Sequence, residues 1–218
     1  MTDATVAHDP HALQVLWSDV ALVAVDKPAG QLSVPGRGDD KADCTWSRVR
    51  MRWPDALVVH RLDQATSGLL LFARGLDMQR EMSRAFAERR ISKHYVAVVH
   101  GLLTDDEGCI ELALAADWPR RPRQRVDPSD GKPALTLYTV LQRDVDAQRT
   151  RLALRPLTGR THQLRVHLAA IGHPVVGDAL YGGTHDAPAL RLMLHAERLQ
   201  LAHPGDGHLL HLHAACPF

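Results

Sequence analysis

The sequence predicts an α+β fold in a single domain, with a long mixed, mainly antiparallel β-sheet and flanking helices. Segments with strand character outnumber segments with helical periodicity, and the two kinds do not alternate as in a doubly wound parallel sheet. The chain has 218 residues, of which 45% are hydrophobic and 23% are charged. This size and composition are typical of a globular domain with a substantial core.

The first elements are predicted from short apolar runs bounded by turn residues. Residues 1–14 are expected to form a loose N-terminal segment, so the domain is expected to span residues 15–218. The elements predicted up to residue 73 are a strand at Val20–Val25, a helix at Trp46–Trp53, and strands at Leu57–Val59 and Leu69–Ala73.

Two further helices are predicted from apolar residues at helical spacing. The first is capped by Asp77, and its apolar stripe consists of Met78, Met82, Ala85 and Phe86. The second runs from His162 to Ile171 and stops before Gly172. The remaining strands are predicted at Tyr95–Val99, Ile110–Leu114, Leu135–Leu141 and Leu152–Arg155, in the alternating Leu190, Leu192 and Leu194, and at Leu209–His213.

Several kinds of protein and site are disfavoured. No run approaches the roughly 18 apolar residues of a membrane span, and the first residues do not resemble a leader, so we expect a cytoplasmic protein without membrane contact. No metal is predicted, because no carboxylate or cysteine stands at ligand spacing around His208, His211 and His213. No cofactor is predicted either, since the chain has no glycine motif for binding nucleotides.

The segment HRLDQATSGLLLF, from His60 to Phe72, is the first candidate for chemistry. It places Asp63 in a short polar turn between two predicted strands, where rigid backbone can aim the carboxylate at a substrate. A buried carboxylate needs an opposite charge, and Arg61 is the nearest candidate in the sequence. A second interpretation stays open, because Asp, Thr, Ser and Gly are also ordinary turn residues.

Five segments in order resemble the RluA family of RNA pseudouridine synthases. The HRLD and TSG residues around Asp63 are one, and the others are KPAGQLSVPG (27–36), YVAVVHG (95–101), LTGRTHQLRVHLAAIGHPVVGDALYGG (157–183) and LMLHAERL (192–199). Together they span about four fifths of the chain, which makes the resemblance far more specific than one short motif. It implies the pseudouridine synthase fold, with a central RNA-binding cleft in a long mixed sheet.

The resemblance also implies roles for five residues. Asp63 is expected to be the essential aspartate, Arg165 to pair with it, and Arg61 to take the place of a base flipped out of its helix. Tyr95 is expected to lie against the uracil ring, with Leu194 as an apolar wall behind it. Residue type alone leaves alternatives, namely a surface cation for Arg165, a salt-bridge partner for Arg61, and core packing for Tyr95 and Leu194.

Positive charge is concentrated in two blocks, although the formal net charge is only +1. Residues 118–165 contain eleven Arg and Lys against four Asp, and residues 46–94 contain ten against five acidic residues. Phosphates respond to local potential, so this segregation favours an RNA-binding surface. The alternative is that these charges are scattered over a solvated surface.

The segment WPRRPRQRVDPSDGK, from Trp118 to Lys132, is predicted to be a long loop that clamps folded RNA. Its prolines stiffen the backbone, and arginines can fork onto phosphates or stack on bases. A solvated tether is the alternative. The residues predicted to contact the RNA backbone are Arg120, Arg121, Arg123, Arg125 and Lys132.

The resulting hypothesis is a cofactor-independent synthase that isomerises uridine in structured RNA. By resemblance to the short, dual-specificity member of the family, its targets are a 23S rRNA hairpin and the tRNA anticodon stem-loop. We expect no N-terminal S4-type module and no obligatory protein partner. The competing hypotheses are an RNA chaperone or assembly factor on the same scaffold, a synthase with another RNA target, and a hydrolase that cleaves nucleosides.

Overall fold

The computed structural model describes residues 13–36, 38, 41–183 and 191–218. Within these residues the chain forms a mixed ten-stranded sheet, a separate two-stranded sheet and three α-helices, which confirms the predicted α+β class. No helix in the described ranges is long and apolar enough to cross a membrane.

The elements have the following bounds. The strands are β1 Gln14–Ser18, β2 Leu22–Lys27, β3 Ala56–Val58, β4 Ser67–Arg74, β5 Ser92–His100, β6 Glu107–Glu111, β7 Leu114–Ala116, β8 Gln124–Val126, β9 Leu135–Asp144, β10 Arg149–Pro156, β11 Leu194–Ala202 and β12 Leu209–His213. The helices are α1 Thr45–Arg52, α2 Leu76–Ala87 and α3 Gln163–Ala170.

The sheet joins an N-terminal half and a C-terminal half through one parallel strand pair. Its strand order is β1-β2-β4-β11-β5-β10-β9-β6, with β3 added to β4 and β12 added to β11. The pair β4–β11 is parallel, and the other strand pairs of the described chain are antiparallel. The sheet is therefore mixed and mainly antiparallel, as the sequence predicts.

Gly68 is required where β4 meets β11. It is paired with Ala196, and its φ of +110° lies in the region that favours glycine. A Cβ atom at this position would lie 2.3 Å from the carbonyl oxygen of Ala196. The backbones can therefore approach only with glycine here, at the start of the strand that follows the Asp63 loop.

Two hydrophobic clusters lie on either side of this junction. The first packs α1 and α2, through residues such as Val49 and Met82, against β2 and β4. The second packs Leu164 and Leu168 of α3 against β5, β10 and the start of β11. Tyr95 on β5 contacts both clusters, so its side chain lies where the two cores meet.

Several local predictions were wrong. The strand β1 was not predicted and takes in Gln14 from the segment expected to be loose; it is an edge strand with mostly half-buried residues, so its apolar pattern is weak. Asp77 does not cap α2, because Gly75 is the N-cap residue and the Asp77 carboxylate pairs with Arg80 instead. Leu192 precedes β11, which begins at Leu194, and Leu190 lies outside the described residues.

The segment predicted as one strand at Ile110–Leu114 contributes to two strands. Glu107–Glu111 forms β6 in the large sheet, and Leu114 begins β7 in the small sheet. The intervening residues allow the chain to leave one sheet and enter the other, which alternation of apolar residues alone does not reveal.

We predict that Gly68→Ala lowers the free energy of unfolding by about 3 kcal/mol or more, because backbone atoms block the new methyl group. Gly172→Ala is the matched control, since Gly172 also has a positive φ, of +85°, but nothing lies within 4 Å of its Cβ position. The control should lose only about 1–2 kcal/mol, the strain of a left-handed residue. Urea denaturation measures both, and equal losses would contradict the steric argument.

Candidate active site

A cleft of about 850 Å³ opens beside the loop that connects β3 to β4. Its lining includes all five residues that the resemblance assigns to the site: Asp63, Arg61, Tyr95, Arg165 and Leu194. They come from the β3–β4 loop, β5, α3 and the start of β11. The fold thus brings together residues that are far apart in the sequence, in a volume typical of small-ligand sites.

The loop presents the Asp63 carboxylate to the cleft. The main-chain oxygen of Asp63 accepts a hydrogen bond from the Thr66 N–H at 3.1 Å, so the residue does take part in a turn. Its side chain is 25% exposed and lies 3.2 Å from Nη1 of Arg165. Asp63 can therefore serve both purposes, because its backbone forms the turn while its carboxylate belongs to the site.

Arg165 is clamped from its other side by Asp178. The Arg165 Nε and Nη2 atoms donate to the two carboxylate oxygens of Asp178 at 2.8 and 2.7 Å. Burial opposes the charge of Arg165, but the hydrogen bonds and charges of Asp178 and Asp63 raise its pKa above the ordinary value. Asp178 was not predicted from the sequence, although it lies in the family-like segment 157–183.

His162 is the second cation-forming group near the aspartate. Its Nε2 atom lies 3.9 Å from Oδ2 of Asp63. Burial lowers the pKa of His162, while the charge of Asp63 opposes that effect. At neutral pH the ring is therefore largely uncharged and Arg165 supplies the positive charge at this position.

Arg61 does not pair with Asp63, which is the alternative role that its residue type left open. Among the described residues, the basic side chains within 4 Å of the Asp63 carboxylate are those of Arg165 and His162. Both are supplied by α3 and the residue before it, whereas Arg61 is exposed at the edge of the cleft. The guanidinium of Arg61 is thus available to a ligand in the cleft.

Tyr95 and Leu194 belong to the apolar part of the lining. Burial, and to a lesser extent the negative charge of Asp63, raises the pKa of the Tyr95 hydroxyl, which keeps the ring neutral. Leu194 is only 3% exposed and belongs to the second hydrophobic cluster. Leu194 therefore packs in the core and also lines the cleft.

The chain is similar to several known proteins. The family model described as RNA pseudouridylate synthase matches residues 21–170. A dual-specificity RNA pseudouridine synthase RluA from Yersinia pestis is 46% identical over 94% of this chain and 99% of the relative. The protein of the same name from Vibrio cholerae is 42% identical, over 100% of this chain and 88% of the relative.

The chain belongs to the RluA family of RNA pseudouridine synthases. Among solved structures, Human RNA Pseudouridylate Synthase Domain Containing 1 is 32% identical, with a TM-score of 0.80 over 95% of this chain and 85% of that one. Human RNA Pseudouridylate Synthase Domain Containing 4 supports the fold, with a TM-score of 0.76 at 22% identity over 94% of this chain and 88% of that one. The reaction of this synthase is the isomerisation of uridine to pseudouridine in RNA.

Lys27 is a further residue of the synthase that the sequence analysis missed. Its side chain is fully buried, and its Nζ donates to the carbonyl oxygens of Pro28, Gln31 and Gln64 at 2.8, 2.8 and 3.0 Å. Burial lowers the pKa of Lys27 to about 7, against the opposing effect of Asp63. Because Gln64 follows Asp63, the ammonium group fixes the backbone beside the aspartate.

The segment Trp118–Lys132 of the synthase, here called the basic arm, is more ordered than a loop. It contains a 3₁₀ turn at Trp118–Arg120 and the strand β8, which pairs with β7. This corrects the prediction of an irregular loop; alternating burial at Gln124–Val126 is too short to reveal a strand.

Each arginine of the basic arm already has a partner within the protein. Arg120 pairs with Asp117 and Arg125 with Asp127, both at 2.7 Å. The guanidinium of Arg121 lies 4.5 Å from the ring centre of Trp118, and that of Arg123 lies over Tyr181. The arm is therefore less positive than the sequence analysis assumes, because two of its arginines face carboxylates.

Two histidines near the C-terminus, His203 and His208, form hydrogen bonds with the carboxylate of Asp206. Oδ1 of Asp206 lies 2.6 Å from Nδ1 of His208 and 3.0 Å from Nδ1 of His203, so the expectation of no nearby carboxylate was wrong. Nε2 of His203 also contacts Asp19 at 2.8 Å. His203, Asp206 and His208 are the described residues that could together hold a metal ion. Their hydrogen bonds close the turn between β11 and β12.

Four histidines in the family-like segments serve as hydrogen-bonding groups. Nε2 of His60 accepts the main-chain N–H of Leu71 at 2.9 Å, which ties the Asp63 loop to β4. The other three bond to side chains or carbonyl groups of neighbouring elements: His162, His167 and His195.

The partly buried ring of His60 predicts an acid sensitivity of folding. Burial, with a smaller contribution from Lys93, lowers its pKa to about 3, whereas an unfolded histidine binds a proton near pH 6.5. Between these values the unfolded state binds more protons, so stability falls as the pH falls, by at most about 1.4 kcal/mol per pH unit from this residue.

His60→Gln retains an acceptor for Leu71 without a titrating ring, so it should lose less stability than the parent protein between pH 6.5 and 4.5. Urea denaturation at both pH values measures the difference. His211→Gln changes an exposed histidine on β12 and should leave the pH dependence as in the parent. If the stability of the His60 variant and of the parent depended on pH in the same way, His60 would not be the source of the acid sensitivity.

Proposed function

We propose that Asp63 is the catalytic residue with which the synthase converts uridine to pseudouridine. The observation that carries this proposal is the pairing of a partly exposed carboxylate with the buried guanidinium of Arg165, at 3.2 Å, in a cleft of about 850 Å³. The pairing compensates the negative charge of Asp63 while its side chain stays accessible.

The reaction requires an ionised carboxylate. Pseudouridine forms when the bond between the ribose and N1 of uracil breaks, the base turns, and C5 forms the new bond. A carboxylate beside the sugar can attack it, stabilise the positive charge that develops there, or accept a proton. All three roles need Asp63 to be charged, and the guanidinium of Arg165 lies 3.2 Å from its carboxylate.

The remaining lining residues suit an extruded base. A uridine in folded RNA must leave its stack before a recessed carboxylate can reach it, at a cost of a few kcal/mol. Arg61, exposed at the edge of the cleft, can fill the space that the base leaves. Tyr95 and Leu194 supply flat and apolar surfaces for the uracil ring.

We infer that the synthase acts on two kinds of RNA, a 23S rRNA hairpin and the tRNA anticodon stem-loop, in the cytoplasm and without a protein partner. The relatives at 42–46% identity carry the name dual-specificity RNA pseudouridine synthase. The positively charged block 118–165, which contains the basic arm and Arg165, supports binding to folded RNA.

Purified protein is incubated with each RNA carrying tritium at uracil C5. Isomerisation replaces the C5 hydrogen and releases label into water from an unbroken chain, for both RNAs. Abasic sites would instead indicate a hydrolase, and the absence of both products an RNA chaperone. Release from only one RNA would contradict dual specificity, and sequencing the product locates the modified uridine.

Asp63→Asn should reduce label release by about a thousandfold or more, because the amide keeps the shape of the side chain but removes its charge. RNA affinity should stay within about threefold, as one side chain among many contacts changes. Asp77→Asn, at an exposed position of α2, is the control and should retain parental rates. Turnover by the Asp63 variant near the parental rate would remove this residue from the catalytic role.

A separate prediction concerns the basic arm. Replacing Arg120, Arg121, Arg123 and Arg125 by Gln should weaken RNA binding and flatten its salt dependence, by roughly one unit of slope per lost phosphate contact. Arg121 and Arg123 should account for more of the change, since Arg120 and Arg125 face carboxylates. Binding measured from 50 to 200 mM salt tests this, with Arg198→Gln, an exposed arginine of β11 outside both positive blocks, as the control. An unchanged slope would identify the arm as a tether.

A further inference from the structure

A chain of polar contacts connects the basic arm to Asp63. The main-chain N–H of Gln124, in the arm, donates to Oη of Tyr181 at 2.8 Å. The same oxygen lies 2.7 Å from Nδ1 of His162, and Nε2 of that ring lies 3.9 Å from Oδ2 of Asp63. Two side chains thus span the distance between the basic arm and the carboxylate.

The groups fix the donor of the first contact, and we infer the donor of the second. A backbone N–H can only donate, so Oη of Tyr181 accepts from Gln124. Burial raises the pKa of Tyr181, so its hydroxyl keeps a proton that it can donate to Nδ1 of His162. A neutral imidazole that accepts at Nδ1 carries its proton on Nε2, the nitrogen that faces Asp63.

The backbone of His162 supports a positioning role. Its φ of +54° and ψ of 18° place a non-glycine residue in the left-handed region, directly before α3. This conformation costs about 1–2 kcal/mol, and such strain concentrates at functional sites. The side chain is only 10% exposed, so the unusual backbone directs a buried ring toward Asp63.

Tyr181 contacts the arm and the site at once. Its ring centre lies 5.3 Å from the guanidinium carbon of Arg123 in the arm and 5.1 Å from that of Arg165. Its main-chain N–H donates to Asp178, the residue that clamps Arg165. A displacement of the arm therefore reaches His162 through a residue that is itself fixed to the site.

We propose that Tyr181 and His162 are positioning residues that couple the placement of the basic arm to the orientation of Asp63. With Gln124 in place, the hydroxyl of Tyr181 fixes the His162 tautomer that directs its Nε2–H at the carboxylate. At 3.9 Å this contact is electrostatic, and an approach of about 1 Å makes it a hydrogen bond. This inference rests on the proposed role of Asp63.

The first test is kinetic. Tyr181→Phe keeps the ring between the two guanidinium groups and removes only Oη, so single-turnover label release should slow about tenfold while the RNA Kd stays within twofold. Tyr138→Phe, which removes a tyrosine hydroxyl on β9, is the matched control and should retain the parental rate. A purely structural role of Tyr181 would instead change affinity or stability.

A double-mutant cycle tests whether the hydroxyl acts through His162. His162→Gln retains an N–H donor near the position of Nε2 and does not depend on a tautomer, so it should be less impaired than His162→Asn. Loss of the Tyr181 hydroxyl should then cost little when it is combined with His162→Gln. Additive losses from the two substitutions would refute the coupling.

The second test needs no turnover. In protein labelled with ¹⁵N-histidine, the His162 ring should show protonated Nε2 and unprotonated Nδ1 by NMR, and this preference should weaken in Tyr181→Phe. Protonated Nδ1 in the parent, or an unchanged tautomer in the variant, would overturn the proposal. If the parent protein released no label from RNA, the proposed function would fail, and the NMR result would still decide whether the contact chain exists.

Discussion

The candidate site depends on one buried guanidinium that serves two carboxylates. Arg165 satisfies Asp178 with two parallel hydrogen bonds and reaches Asp63 with its remaining Nη1 atom. Removing a cation from water costs several kcal/mol unless its partners are well placed. Asp178, whose side chain is fully buried, supplies that compensation, so Asp63 can remain partly exposed for a substrate.

The sheet places this pair at the junction of its two halves. The loop with Asp63 leads into β4, and β4 meets β11 in the parallel pair where Gly68 lies against Ala196. On one side α1 and α2 cover the N-terminal core, and on the other α3 covers the C-terminal core. Between the two clusters the packing leaves a cleft, and α3 delivers Arg165 into it. The close approach of the β4 and β11 backbones at Gly68 therefore links the candidate site to the fold of the sheet.

The sequence predicts those features whose signal is local. Buried β4 and the alternating β12 were recognised from their apolar patterns, and the bounds of β12 agree residue for residue. The half-buried edge strand β1 has no such apolar pattern. The role of Asp178 cannot be read from local sequence, because it depends on the fold bringing Asp178 to Arg165. Asp63 was singled out by family resemblance, since its residue type alone fits an ordinary turn equally well.

The arginines of the basic arm contact carboxylates and aromatic rings of the protein. These contacts explain why the arginines orient a bound RNA more than they attract it. Arg120 and Arg125 must exchange Asp117 and Asp127 for a phosphate, and these two carboxylates are almost fully buried, so leaving them without a cation is costly. Such an exchange adds little net affinity, yet the carboxylates hold each guanidinium in a defined direction. Arg121 and Arg123 rest on aromatic rings instead, where stacking leaves their N–H groups able to donate to phosphate or base. A pre-oriented arm of this kind selects the shape of a folded RNA, because its donors match only phosphates at the corresponding positions.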